Sequence, residues 1–420
     1  MSLSSPEIRF KDDNGNDLPD WEEKTIGDVA EIKGGKRVPK GKVLESIPNG
    51  FPYITVSDFD RDSVDLRGIR YVPLDVVDKI KSYTINTSDI FISVAGTLGL
   101  VGVIPDSLDG ANLTENANKL TNLKCDKSFL LQYLKSERFK SLIESVKTTG
   151  AQPKLAIYAI KAFRFPKPSP HEQKKIADFL TSVDERIGQL IKKKALLEDY
   201  KKGVMQQLFS QQIRFKDDNG NDFPDWEEKK LGEVADLISG FAFKSEYFGE
   251  GGQKLITPKN FTKNGAAFFD VSNIKYTTEE VPEKFMCDSG DLLVLLTDLT
   301  PSCELLGRPA LLNNGDGTVL LNQRIVKVVV NSEHISALYL AKFLQSPKYR
   351  RKIIRTAVGS TVRHSSNKIL LSIATPIASL EEQKKIADFL TSVDQKIESV
   401  SQQIAKTQTF KKGLLQQMFV

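Results

Sequence analysis

The chain has 420 residues, 40% hydrophobic and 27% charged, with a formal net charge of +5. That is material for two to three soluble domains with their own cores, and the mild basicity points only weakly to a polyanionic partner. Three scattered cysteines, Cys125, Cys287 and Cys303, exclude a disulfide framework or cysteine-rich zinc site and fit a reducing, cytoplasmic setting. No signal-peptide core opens the chain, and no apolar run reaches the roughly eighteen residues of a membrane span.

Residues 1–20 form a lead-in. The stretch at 8–24, IRFKDDNGNDLPDWEEK, returns at 213–229 with Leu18 replaced by Phe223. Its Asp, Asn and Gly residues predict a turn. Residues 21–170 form a variable block with strand-like runs at 50–56 and 90–94 and a helix-like run at 128–146, hence a mixed α+β domain. The prolines of FPKPSP at 165–170 end it.

Residues 171–211 read as a long helix. Apolar residues fall at Ile176, Leu180, Val183, Ile187, Leu190, Leu197, Val204 and Leu208 in alternating steps of four and three, with Lys194 and Lys201 in the gaps. This is a coiled-coil seam of about five heptads. Residues 212–378 hold the second lead-in and variable block, with strand-like runs at 291–297 and 324–330 and a helix-like run at 335–357. Residues 379–420 repeat the rod, with Ile386, Leu390, Val393, Ile397, Val400, Ile404, Leu414 and Met418 on the seam and Thr407 and Lys411 in its gaps.

EQKKIADFLTSVD stands at both 172–184 and 382–394, and KKGVMQQLF at 201–209 is echoed by KKGLLQQMF at 411–419. The lead-ins are displaced by 205 residues and the other blocks by 210, so the second variable block is five residues longer. About 40 helical residues make a rod of roughly 60 Å. The expected fold is α+β: two globular mixed α/β domains separated by a long antiparallel two-helix coiled coil, with internal pseudo-two-fold symmetry. Because Ile213 follows Phe209 by four residues, the symmetry requires Ile8 to lie within roughly 15 Å of Phe419.

Catalytic signatures are missing. Gly34-Gly35-Lys36 is followed by Arg37 rather than a hydroxyl residue, and Gly96, Gly99 and Gly102 lack dinucleotide-binding spacing. His171-Glu172 lacks the second histidine of a zincin, and three histidines argue against a metal site. No catalytic residue and no metal ligand is assigned. Recognition remains. Basic and amide side chains beside glycines suit base edges and phosphates. The DNA-contact candidates are Lys33, Lys36, Arg37, Gln152 and Lys154 in the first block, and Lys244, Lys259, Asn260, Arg363, His364, Asn367 and Lys368 in the second. The competing reading is a duplicated coiled-coil scaffold that gathers protein partners without sequence-specific DNA binding.

PHEQKKIADFLTSVDERI and LEEQKKIADFLTSVDQKI resemble the conserved regions of type I restriction-modification specificity subunits. AGTLGLVGVIP at 95–105 and Leu321-Asn322-Gln323-Arg324-Ile325-Val326 resemble motifs inside that family's target-recognition domains. The resemblance covers the whole chain. It implies that each variable block is a target-recognition domain reading one half of a bipartite, asymmetric site in double-stranded DNA, and that the coiled coil sets the spacer. It further implies two adenine-N6 methyltransferase subunits docked on the repeated surfaces, and an endonuclease/translocase subunit. S-adenosylmethionine, ATP and Mg would be held by those partners, with no cofactor in this chain and no membrane involved.

Overall fold

The computed structural model describes residues 6–60, 62–147, 153–300 and 302–419. Contacts divide the chain into Met1–Leu190 with Gln403–Val420, and Ile191–Gln402. Two long helices, Pro170–Phe209 and Leu380–Met418, each give one half to each unit.

The first unit carries an antiparallel sheet in the order Glu31–Gly34, Ala117–Thr121, Ile90–Ser93, Val101–Gly102. Its second sheet pairs Pro52–Ile54 with Ala111–Leu113 in parallel. The other unit repeats the plan in dissimilar sequence. Ala235–Ser239, Ile325–Val330, Leu292–Leu295 and Pro309–Leu311 make the antiparallel sheet, and Gln253–Ile256 pairs in parallel with Val319–Leu321. Ile90–Ser93 and Leu292–Leu295 are buried at every position, which is why both read as unbroken strand-like runs rather than alternating ones. The two helix-like runs are each split. Ser136 and Ser346 cap new helices at Glu137–Val146 and Pro347–Arg355 by accepting from the amides of Phe139 and Tyr349.

The repeated motifs do matching work in each unit. Asp12 closes the lead-in turn by accepting from the amides of Asn14 at 2.9 Å and Asn16 at 2.7 Å, and Asp217 does the same for Asn219 and Asn221. The fully buried Glu172 receives Arg9 at 3.2 and 2.9 Å and the Trp21 indole N–H at 2.9 Å. Glu382, equally buried, receives Arg214 at 3.2 and 2.8 Å and Trp226 at 2.8 Å. Gln173 accepts from the Asp126 amide at 2.8 Å and Gln383 from the Ser336 amide at 2.9 Å, docking a helix start of each variable block.

Within each unit the two helix halves run antiparallel. Ile176, Ala177, Leu180 and Val183 share a core with Leu414, Leu415, Met418 and Phe419, while Ile386, Ala387 and Leu390 share one with Met205, Leu208 and Phe209. The Phe419 ring lies 5.6 Å from both Phe129 and Tyr133, and Phe209 lies 5.7 and 5.5 Å from Tyr339 and Phe343. Of the remaining seam positions, Leu190, Val393, Ile397 and Val400 are buried, and Ile187, Leu197, Val204 and Ile404 are half-buried. The amides of Glu7 and Ile8 reach the Gln417 carbonyl at 2.9 and 3.4 Å, as those of Gln212 and Ile213 reach Gln207 at 2.9 and 3.4 Å. Ile8 therefore sits beside the end of the second helix, as the pseudo-symmetry requires.

Two of the charged gaps in the seam are ion pairs. Lys411 meets Asp184 at 2.6 Å and Lys201 meets Asp394 at 2.6 Å. An apolar residue at either lysine would leave its aspartate with only the lysine of the variable block, Lys135 at 3.3 Å or Lys342 at 2.8 Å, and would remove the ion pair between the two helix halves, so the pairs favour this register and direction. Burial pulls both lysines below their ordinary values. Burial works to raise Asp184, but Lys135, Lys411 and Gln132 outweigh it and hold its carboxyl below the usual range. A depressed carboxylate stabilises the fold above its unfolded value of about 3.9 and ceases to do so as pH falls through the lower folded value. Asp184→Asn should therefore flatten the loss of urea resistance between about pH 4 and the acid limit, against a steeper loss in the parent chain.

Candidate nucleic-acid interface

Four backbone hydrogen bonds build one edge of the first unit. The amides of Gly35 and Lys36 reach the carbonyls of Ala117 at 3.0 Å and Leu113 at 2.8 Å. The Val94 amide reaches Asn116 at 2.8 Å, and the Leu155 amide reaches Val94 at 3.0 Å. Segments 35–37, 94–97, 113–117 and 154–155 are thereby gathered together. Arg37 pairs with Glu115 here at 2.5 Å, and Lys36 stands 5.6 Å over the Tyr83 ring.

The other unit makes the same four bonds. Gly240 reaches Ile325 at 3.1 Å, Phe241 reaches Leu321 at 2.8 Å, Leu296 reaches Arg324 at 2.9 Å and Ser365 reaches Leu296 at 2.9 Å. The side chains differ at each matched position: Lys36 against Phe241, Asn116 against Arg324, Lys154 against His364. The buried Asp298 carboxylate accepts from the amides of Thr300, Leu305 and Leu306 at 2.8, 2.6 and 3.0 Å, tying those three residues to this edge.

Residues 19–198 and 224–408 match the family described as type I restriction modification DNA specificity domain. The chain belongs to this family. It is similar over 97% of its length to the MjaVIII specificity subunit of Methanocaldococcus jannaschii, with 27% identity over 94% of that protein. The EcoAI specificity subunit of Escherichia coli is 22% identical over 84% of the chain and 54% of the relative. Among solved structures, the S subunit of a type I system from M. genitalium superposes with a TM-score of 0.57 at 19% identity, covering 99% of both chains. A chain from a study of type I complex assembly superposes at 0.59 and 17% identity, covering 96% of this chain and 98% of that one. The protein is thus the DNA specificity subunit, a non-catalytic member of a type I restriction-modification complex. Among the described residues, no helix is long and apolar enough to cross a membrane, and no group of three or more side chains is set to hold a metal.

The specificity subunit brings most of the candidates to these two edges. Lys36, Arg37 and Lys154 lie on the first, with Lys33 just before it on its strand, exposed and 2.9 Å from Glu31. Gln152 lies outside the described residues. Arg363 and His364 pair with Asp298 and Thr297 on the second edge. Asn367 donates to Ser239 at 2.8 Å, and Lys368 follows it, exposed. Lys244 and Lys259 are exposed but belong to neither four-bond cluster.

Asn260 needs correcting. It is fully buried, its oxygen holds the Thr257 amide and hydroxyl at 2.8 Å, and its nitrogen faces Phe268 and Asn273. It braces a turn and offers nothing to a ligand. Gln323 and Arg324, exposed between two strands of the second edge, lie in the motif-like run 321–326 but are not among the DNA-contact candidates. Their signal was a pair of long polar side chains between two apolar runs.

The edges depend on close backbone approach. A Cβ at Gly35 would stand 2.0 Å from the Thr114 carbonyl oxygen, and one at Gly240 would stand 2.0 Å from that of Asn322. Gly35→Ala and Gly240→Ala should each cost about 1–3 kcal/mol or more. Gly188→Ala, in open space on a helix, should stabilise by about 0.5–1 kcal/mol. Urea unfolding of the three variants checks the contrast.

Proposed function

We propose that each unit is a target-recognition domain reading one half of a bipartite, asymmetric site in double-stranded DNA. The observation that carries this is the pair of edges: the same backbone bonds presenting different side chains. One frame with two sets of loops suits two different half-sites. Lys33, Lys36, Arg37 and Lys154 serve the first half-site. Arg363, His364, Asn367 and Lys368 serve the second, joined by Gln323 and Arg324. Arginine reads guanine O6 and N7 and amides read adenine, while the lysines hold phosphates.

The long helices, each shared between the units, set the unread spacer. Their near-identical repeated surfaces dock two adenine-N6 methyltransferase subunits, which carry S-adenosylmethionine and flip the target base out of the duplex. An endonuclease/translocase subunit brings ATP and Mg. This chain positions the chemistry and performs none of it.

A genome-wide map of N6-methyladenine in cells with and without the gene tests the reading. A bipartite motif, methylated on both strands, should disappear on deletion. An unchanged map in cells expressing the whole complex would sink the proposal. Arg324→Ala should relax the second half-site at one position, costing about 1–3 kcal/mol in discrimination, and leave the first untouched. Loss of both half-sites together would contradict independent readers.

A further inference from the structure

A cleft of about 830 Å³ opens in the unit Ile191–Gln402, between the long helices and the helix Pro347–Arg355. Its walls carry Lys202, Arg308, Arg350, Arg351 and Arg355, and among the described residues none of these five pairs with a carboxylate. The carboxylates and lysines nearby are already matched: Lys263 with Glu304 at 2.5 Å, Lys201 with Asp394 at 2.6 Å, and Glu198 with Lys194 at 3.9 Å. Arg350 is only 9% exposed. Its guanidinium is met by carbonyl oxygens alone, those of Leu306, Cys303 and Glu304. A buried charge without a counter-charge is expensive to keep.

The frame does not explain this cluster. Ser136 and Ser346 cap matching helices, so Arg350, Arg351 and Arg355 stand where the first unit has Lys140, Ser141 and Ser145. Lys140 is neutralised by Glu137 at 3.0 Å. The arginines are therefore a property of one half only. Arginine forks fit phosphate oxygens in pairs, and the apolar walls of Met205, Ile354 and Ile397 strengthen such contacts by excluding water. Cys303 links the cleft to the recognition edge, since its thiol accepts from Arg363 Nε at 3.3 Å.

We propose that this cleft binds a phosphate group, contributed either by the backbone of the bound duplex or by a free nucleotide. The site goes beyond half-site reading and does not require it. The test uses the full chain assembled with its methyltransferase subunits, comparing the parent with Arg351→Gln/Arg355→Gln, both exposed positions, and with Lys140→Gln. The first arm measures target-duplex affinity against salt. A duplex source predicts that the double variant loses about 0.9 from the log-log slope per phosphate released. The second arm titrates inorganic phosphate and a nucleoside triphosphate into the DNA-free complex. A free source predicts saturable binding that the double variant weakens about tenfold. Lys140→Gln should change neither. Double-variant behaviour equal to the parent in both arms, repeated with Arg308→Gln, overturns the proposal. So does a changed methylation motif, because a phosphate site alters affinity and not the sequence read.

Discussion

Glu172→Ala should be among the most damaging single substitutions in the chain, lowering stability by about 3–5 kcal/mol. The carboxylate is fully buried and accepts three hydrogen bonds, two from Arg9 and one from Trp21. Removing it leaves a guanidinium and an indole N–H facing each other where lead-in and helix meet. The guanidinium keeps the Leu18 and Pro19 carbonyls at 2.9 and 2.6 Å and Asp20 at 3.5 Å, but it loses its buried counter-charge and the indole N–H loses its acceptor. Arg9 also loses the partner that now raises its affinity for its proton. Glu382→Ala should cost nearly the same, since Arg214 and Trp226 reproduce the geometry within about 0.1 Å. Thermal unfolding of the two variants should show parallel losses of about 10 °C. A loss under about 1 kcal/mol in either would mean that the lead-in is not held by this carboxylate.

The second large effect concerns the spacer. Seven residues inserted after Leu190 and seven after Gln402 would lengthen both long helices by about 10 Å while keeping heptad phase. The division of contacts falls at those two places, so the Lys411–Asp184 and Lys201–Asp394 pairs remain within their own units. The methylated motif should then gain about three unread base pairs between its halves, at about 3.4 Å each, or methylation should stop. Insertion into one helix alone would shift one partner past the other and separate a lysine from its aspartate. An unchanged spacer in the paired insertion would remove the helices from the measuring role.

The repeat and the heptads were legible because both are local patterns, as was the meeting of Ile8 with the second helix end, which follows from counting residues between copies. The charged gaps at Lys201 and Lys411 were visible as gaps, but their partners were not, because Asp184 lies 227 residues from Lys411. The first two letters of the repeated EQKKIA were opaque for the same reason. Glu172 acts on residues 151 and 163 positions away. Loop composition pointed to several residues that the structure gathers on the two edges, yet could not tell the inward Asn260 from the outward Arg324. That distinction depends on which way a turn faces once the sheets have closed.

The two aspartates at the ends of the repeated blocks are neutralised in different ways. Asp184 takes Lys135 at 3.3 Å and Gln132 at 2.9 Å from its variable block. Asp394 takes Lys342 at 2.8 Å, while Gln345 turns to Lys201 at 3.1 Å. Lysine and glutamine have traded places between matching positions one helical turn apart, and the charge on each aspartate is answered all the same. A recombination event that transplanted one block into the other's frame would deliver its lysine to an identical acceptor. The join between constant and variable sequence is thus compatible with shuffling, and new pairs of half-sites become reachable by exchanging whole modules rather than by mutating them.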